Sequence, residues 1–251
     1  MWHDASYFHE LQQILSKAGY TSYSMQFPCC QDNACYQEAR RITKELVADL
    51  EETLQQQVEQ PQFVILGHSQ GGLITQSALQ NSTVISERAR GAVLLGTYPL
   101  GMTPPLGALL KEPRNMYNDF GYLWICLFGK LMNTRYTKHI FLMPTADETQ
   151  PKLKSYIAGL LKAPSDGLVT MSHFPQAPTA SLPLPTLVLG AEQDCIYPPH
   201  LLTDAFQERF PNSKQVIARD QAHCFVDPGW ETAMAEPLFA WLDELLQKKE
   251  K

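Results

Sequence analysis

The chain lacks an apolar stretch long enough to cross a bilayer. Its longest, Tyr122 to Met132, is interrupted by Gly129 and Lys130, whereas a spanning helix needs about 20 apolar residues. It also lacks an excess of positive charge: 20 lysines and arginines stand against 26 aspartates and glutamates, a net charge of −6. The cations are scattered except at the extreme C-terminus, so no footprint for a phosphate backbone exists and nucleic acid is not an expected partner. Cysteine is sparse. Cys29, Cys30, Cys35, Cys126, Cys195 and Cys224 follow neither the spacing of a zinc site nor that of a compact disulfide framework. Free thiols in a reducing compartment are expected. The first residues place His3 and Asp4 where a secretory leader would carry a basic and then an apolar run, so the expected location is cytoplasmic. No motif calls for a metal or a cofactor, there is no internal repeat, and oligomeric state is not readable.

What is present reads as a globular α/β chain. With 251 residues, 44% hydrophobic and 18% charged, it can bury a large core as one domain or as a domain with an insertion. Tyr7, Phe8, Leu11, Ile14, Leu15 and Ala18 recur at helical spacing and stop at Gly19, a usual helix terminator. "YTSYSMQF", residues 20–27, alternates like a strand. Ile42, Leu46, Leu50, Leu54 and Val58 form one stripe of a long amphipathic helix that ends before Pro61. Four apolar runs predict strands covered on both faces: 62–67, 91–98, 185–192 and 214–219. Helices are predicted over about 70–80, 200–210 and 229–248. Strands alternating with helices imply a mostly parallel sheet with helices on both faces.

The alternation breaks between Thr97 and Pro183. That stretch holds helical pieces and many prolines but no convincing strand, and a structureless loop of such length is improbable in a compact domain. It is read as an inserted cap over 98–183, with the core formed by 1–97 and 184–251.

Chemistry concentrates at "FVILGHSQGGLI", residues 63–74. A hydroxyl is a poor nucleophile at neutral pH and needs a base, a group to orient that base, and donors for the oxyanion. In Gly-x-Ser-x-Gly the serine sits on a strained strand-to-helix turn. An ordinary glycine-rich turn explains the pentapeptide alone, but here a buried strand precedes Ser69 and helical spacing follows it. Two later strands add partners at the edge where parallel sheets carry their sites. Asp194 follows the third strand in "LVLGAEQDCIYPP", and His223 follows the fourth in "ARDQAHCFVDPGW". The order Ser, Asp, His suits this architecture. Asp166, Asp220 and Asp227 are weaker candidates for the acid, because none directly follows a central strand. His68 and His200 are read as structural.

With "LGHSQGG", "LGAEQDCIYPP" and "AHCFVDPGWE" in that order, the chain resembles the α/β-hydrolase superfamily over nearly its whole length, and its capped serine hydrolases (esterase- and lipase-like) in particular. The resemblance implies Ser69 as nucleophile, His223 as general base then acid, Asp194 as its orienter, and the Gln70 N–H as one oxyanion donor. The opening "MWHDASYFHELQQILSKAGY" looks like the first helix of capped members. There it follows a central strand ending in His-Gly, and that strand is not in this sequence. By position Met1 falls where the second oxyanion donor belongs. The chain is therefore expected to be part of a longer protein, and to turn over slowly without that strand, since one lost donor costs about 100- to 1000-fold.

The expected substrate is a small apolar ester or acyl compound, cleaved through an acyl-enzyme. Phe120, Tyr122, Leu123, Trp124, Leu127 and Phe128 form an aromatic-rich patch suited to an apolar acyl chain, and equally to the buried face of a cap helix. Serine rather than aspartate at the elbow argues against epoxide hydrolases and dehalogenases. Thioesterase and acyltransferase chemistry remain open, as does a weakly active or non-catalytic small-molecule-binding homologue.

Overall fold

The computed structural model describes residues 5–25, 39–101, 138, 141–143, 145–147, 149–162 and 181–247. Its centre is a parallel sheet of four strands in the order β1-β2-β3-β4: β1 Phe63–His68, β2 Ala89–Leu95, β3 Thr186–Ala191 and β4 Ser213–Ala218. All three neighbouring pairs run parallel. The four predicted strands are these four, with boundaries shifted by a few residues. β2 starts earlier because a short helix, α4 (Thr83–Arg88), precedes it. Ser82 begins that helix by accepting the Ile85 N–H at 3.1 Å, a serine N-cap.

Helices cover both faces. On one lie α2 (Ala39–Gln57), α3 (Gln70–Asn81) and α6 (Thr203–Arg209). Leu46, Leu73, Ile74 and Phe206 meet Leu94 and Val188 there. On the other lie α1 (His9–Lys17) and α7 (Glu236–Gln247), where Leu11, Leu238, Trp241 and Leu242 meet Val93, Leu95, Leu187 and Leu189. The alternation Val93, Leu94, Leu95 thus sends successive side chains to opposite faces. Full burial of each such leucine contributes about 1.5–3 kcal/mol relative to exposure.

Helix ends follow local chemistry. α1 stops where Gly19 takes φ +88 and the Tyr20 N–H reaches back to the Leu15 carbonyl at 3.0 Å, a left-handed C-terminal turn that glycine adopts without strain. The predicted helix over 229–248 opens instead with a π turn, Glu231–Ala235. Pro237, two residues on, has no N–H to return to the carbonyl four residues back.

One expectation fails. Residues 20–25 form no strand; 26 and 27 lie outside the described residues. An extended segment becomes a strand only by pairing, and among the described residues β1 pairs with β2 alone. The region expected to be a cap contributes α5, Pro151–Lys162, and Phe141 and Leu142, which pack with Leu153, Ile157 and Leu160 around Cys224.

Candidate active site

Each of β1, β2 and β3 hands its backbone ladder on by one bond past its carboxyl end. The Ser69 N–H donates to the Leu95 carbonyl at 2.9 Å, Gly96 to Leu189 at 2.9 Å, and Glu192 to Ala218 at 3.0 Å. Three loops are thereby brought to one edge in register. Ser69 ends the β1 turn at φ 53, ψ −122, a left-handed region that non-glycine residues rarely adopt. A Cβ at Gly67 would stand 2.4 Å from the Gly71 carbonyl oxygen, so only glycine lets α3 start this close to β1. Gly71 itself faces open space, with nothing within 4 Å of a Cβ placed there.

Asp194 lies three residues beyond β3. Its Oδ1 accepts the N–H groups of Ile196 and Tyr197, both at 2.8 Å, and its Oδ2 stands 2.8 Å from His223 Nδ1. A carboxylate only accepts, so Nδ1 carries the proton. His223 Nε2 is then free to accept, and it lies 3.0 Å from Ser69 Oγ. The structure thus brings Ser69, His223 and Asp194 into one continuous line of hydrogen bonds. All three are buried, His223 with 1% of its surface exposed. Tyr197 and Phe141 enclose the imidazole, with ring centroids 5.5 and 5.9 Å from it, and so keep water from its faces.

Gln70 is the first residue of α3, where N–H groups lack partners within the helix and the helix dipole favours negative charge. That is the position an oxyanion donor requires. Met1, the expected second donor, lies outside the described residues, as do Phe120, Trp124, Leu127 and Phe128 of the expected acyl pocket. Among the weaker acid candidates, Asp220 is exposed and Asp166 lies outside the described residues.

Asp227 has a different place. It is buried under the histidine loop, and its carboxylate accepts the Met143 N–H at 3.1 and 3.2 Å and the Ala222 N–H. Burial nevertheless holds its pKa above the ordinary carboxylate value. Cys224, next to His223, is fully buried, and that burial pushes its thiol well up despite a hydrogen bond with Tyr156. It is a neutral thiol here.

The contacts of three residues escaped the sequence reading, although His68 itself is read there as structural. His68 and Tyr7 bond the main chain of the histidine loop. Gln76, fully buried in α3, accepts the Leu100 N–H at 2.8 Å and donates to the Tyr98 carbonyl at 2.9 Å, pinning the chain where it leaves β2. The available signal for Gln76 was its place three residues from both Leu73 and Leu79, on a buried face of the helix beside the elbow. A cavity of about 170 Å³ opens between α6 and the β3–β4 pair, lined by Thr97, Tyr197, Leu202, Phe206 and Ile217 among others. Neither Ser69 nor His223 lines it, but Gly96 does, where a Cβ would stand 3.3 Å from Asp194 Oδ2 and 3.4 Å from His223 Nδ1.

The comparisons agree with the fold. A family profile described as the α/β hydrolase fold matches residues 3–229. This chain belongs to that family. No curated protein matches it in sequence. Among solved structures, an esterase from Thermogutta terrifontis with malate bound is similar at 18% identity and TM-score 0.64, covering 96% of this chain and 86% of that one. An esterase from Exiguobacterium antarcticum is similar at 16% identity and TM-score 0.65, covering 96% and 88%. A bromoperoxidase from Bacillus anthracis is similar at 17% identity and TM-score 0.62, covering 97% and 88%. At such identities the likeness is one of fold. Among the described residues, no helix is long and apolar enough to cross a membrane.

Proposed function

We propose that the chain is a serine hydrolase that cleaves a carboxylic ester through an acyl-enzyme on Ser69. The observation that carries this reading is the buried line Ser69 Oγ, His223 Nε2 at 3.0 Å, His223 Nδ1, Asp194 Oδ2 at 2.8 Å. In the proposed reaction Oγ attacks the ester carbonyl carbon as Nε2 takes its proton. Negative charge gathers on the former carbonyl oxygen, toward which the Gln70 N–H would donate at the start of α3. Collapse expels the alcohol, which leaves with the proton from Nε2. Water then attacks the acyl-enzyme, gives its proton to Nε2, and the acid departs as Oγ recovers its hydrogen. Asp194 keeps the proton on Nδ1 and stabilises the imidazolium formed in both steps.

We assign residues 98–183 to a cap over this site. Support comes from Phe141 against the His223 ring and from the Met143 N–H on Asp227. An apolar acyl substrate suits a pocket closed by such a segment.

The test pairs a fluorophosphonate probe with hydrolysis of short p-nitrophenyl esters. Labelling and turnover should both be present in the wild-type chain; in Ser69→Ala labelling should vanish and turnover should fall by about a million-fold. A folded wild-type chain that neither labels nor turns over would instead be a binding homologue. Ester formation with added alcohols in place of water would make it an acyltransferase.

A further inference from the structure

Two side chains that the proposed reaction does not use converge on the main chain of the catalytic base. His68, the last residue of β1 and the neighbour of Ser69, is buried, and its Nε2 lies 2.8 Å from the carbonyl oxygen of His223. A carbonyl only accepts, so this nitrogen carries a proton and donates. One residue further along, the Tyr7 hydroxyl donates to the Cys224 carbonyl. The Tyr7 ring stacks on the His68 ring at 5.0 Å and 24°. The Cys224 N–H in turn donates to the Phe141 carbonyl at 3.2 Å. Successive peptide groups around Cys224 are therefore tied by the elbow strand, the N-terminal segment and the region before α5.

The histidine loop needs such ties. Asp220 and Phe225 take φ 52 and φ 47, conformations that persist in non-glycine residues only when the surroundings over-determine them. Asp194 holds only the Nδ1 side of the imidazole and does not fix where the His223 backbone sits. The distance from Ser69 Oγ to His223 Nε2 then depends on where the His223 backbone sits. His68 fixes that directly, because it is covalently joined to the nucleophile and hydrogen-bonded to the main chain of the base. We infer that His68, backed by Tyr7, is a positioning residue that sets the nucleophile-to-base distance by clamping the backbone of the base. This inference rests on the serine-hydrolase reading above.

The test compares His68→Phe, His68→Gln and Tyr7→Phe in the full chain. The glutamine amide nitrogen reaches about as far as Nε2 and keeps the donor; phenylalanine keeps the ring and loses it. In His68→Phe, kcat per fluorophosphonate-labelled site should fall about 100-fold with KM within about threefold, since misplacing a base harms the transition state more than the bound substrate. His68→Gln should recover most of that loss, and Tyr7→Phe should lower kcat about tenfold. A purely structural role would lower the labelled fraction and leave kcat per labelled site unchanged in all three; that result overturns the inference. If His68→Phe does not fold, the Tyr7→Phe loss and the His68→Gln retention carry the test alone. A second readout does not depend on turnover. The downfield proton resonance of the His223 Nδ1–H, identified by its loss in Asp194→Ala, should broaden in His68→Phe and Tyr7→Phe and stay sharp in His68→Gln. An unlabelled, inactive wild-type chain would sink the hydrolase reading, and this proton would still decide the positioning role; an unchanged proton in both phenylalanine variants refutes it.

Discussion

The loops that carry Asp194 and His223, partners in the proposed reaction, leave the same sheet edge, yet they are held differently. The carboxylate of Asp194 takes its two backbone donors from Ile196 and Tyr197, and its own N–H returns to Ala191 at 3.0 Å. The two donors to its side chain come from within three residues of chain, although the loop backbone also reaches Gln221 through the Gln193 N–H at 2.9 Å. The histidine loop leans on distant parts: His68 and Tyr7 on its carbonyls, Phe141 on its amide, and Met143 on Asp227. A carboxylate oriented mainly by its own turn and an imidazole held by distant segments should fail differently. A local turn survives changes elsewhere, while a borrowed loop inherits every disturbance of its neighbours.

Asp194→Asn gives the largest expected effect. It should cut kcat about ten-thousand-fold by leaving His223 in the wrong tautomer, yet cost about 1 kcal/mol or less in urea unfolding, because the amide oxygen can still accept from the loop. A stability loss in step with the activity loss would break the comparison, showing that the Asp194 loop is not held mainly by its own turn.

Asp227→Ala should do the reverse. Removing the carboxylate strands the Met143 and Ala222 donors, a cost of about 1–3 kcal/mol for each buried group, and kcat should fall by less than in Asp194→Asn. The isosteric Asp227→Asn isolates the charge. Burial raises the folded-state pKa of Asp227 above its ordinary 3.8, so between the two values the folded chain binds more protons than the unfolded one. Stability from this group is full below 3.8 and is lost as pH rises through the raised value. The melting temperature of wild type minus that of Asp227→Asn should therefore fall as pH climbs above 3.8 and level off once it has passed the raised value. A difference that rises with pH would mean that hydrogen bonding outweighs desolvation at this carboxyl.

The smallest effect is expected at Lys152, where α5 meets α1. The Lys152 Nζ to Glu10 Oε2 pair measures 2.7 Å, but both side chains are about half exposed, and exposed pairs contribute less than about 1 kcal/mol. Lys152→Ala should leave unfolding and turnover nearly unchanged. A large loss of activity would mean that the histidine loop depends on the α5 surface as well as on its inner face.

The same contrast explains what was readable in advance. Continuous apolar runs located β1 to β4 because a strand covered on both faces has little choice of side chain. The glycine-flanked serine was legible because the tight approach at Gly67 leaves a compositional trace. Asp194 and His223 were legible by their place just past strands. The pairing of residues 20–25 was not, because a strand exists only through its neighbour. His68 passed as part of the elbow, Tyr7 as one more apolar position on a helix face, and Asp227 as a weak candidate acid. Each bonds a group at least 84 residues away in the chain or is itself bonded from there, and no local pattern records such a partner.

By itself, then, the sequence determined the alternation of strands and helices, the sharp turn at Ser69, and the order in which serine, aspartate and histidine leave their strands. These depend on hydrophobic period, glycine and short-range hydrogen bonds, all properties of neighbouring residues. Only the tertiary structure decided how the base is held. The grip on the His223 and Cys224 carbonyls is assembled from opposite ends of the chain, and a hydrogen bond depends on distance in space, whatever the separation in sequence.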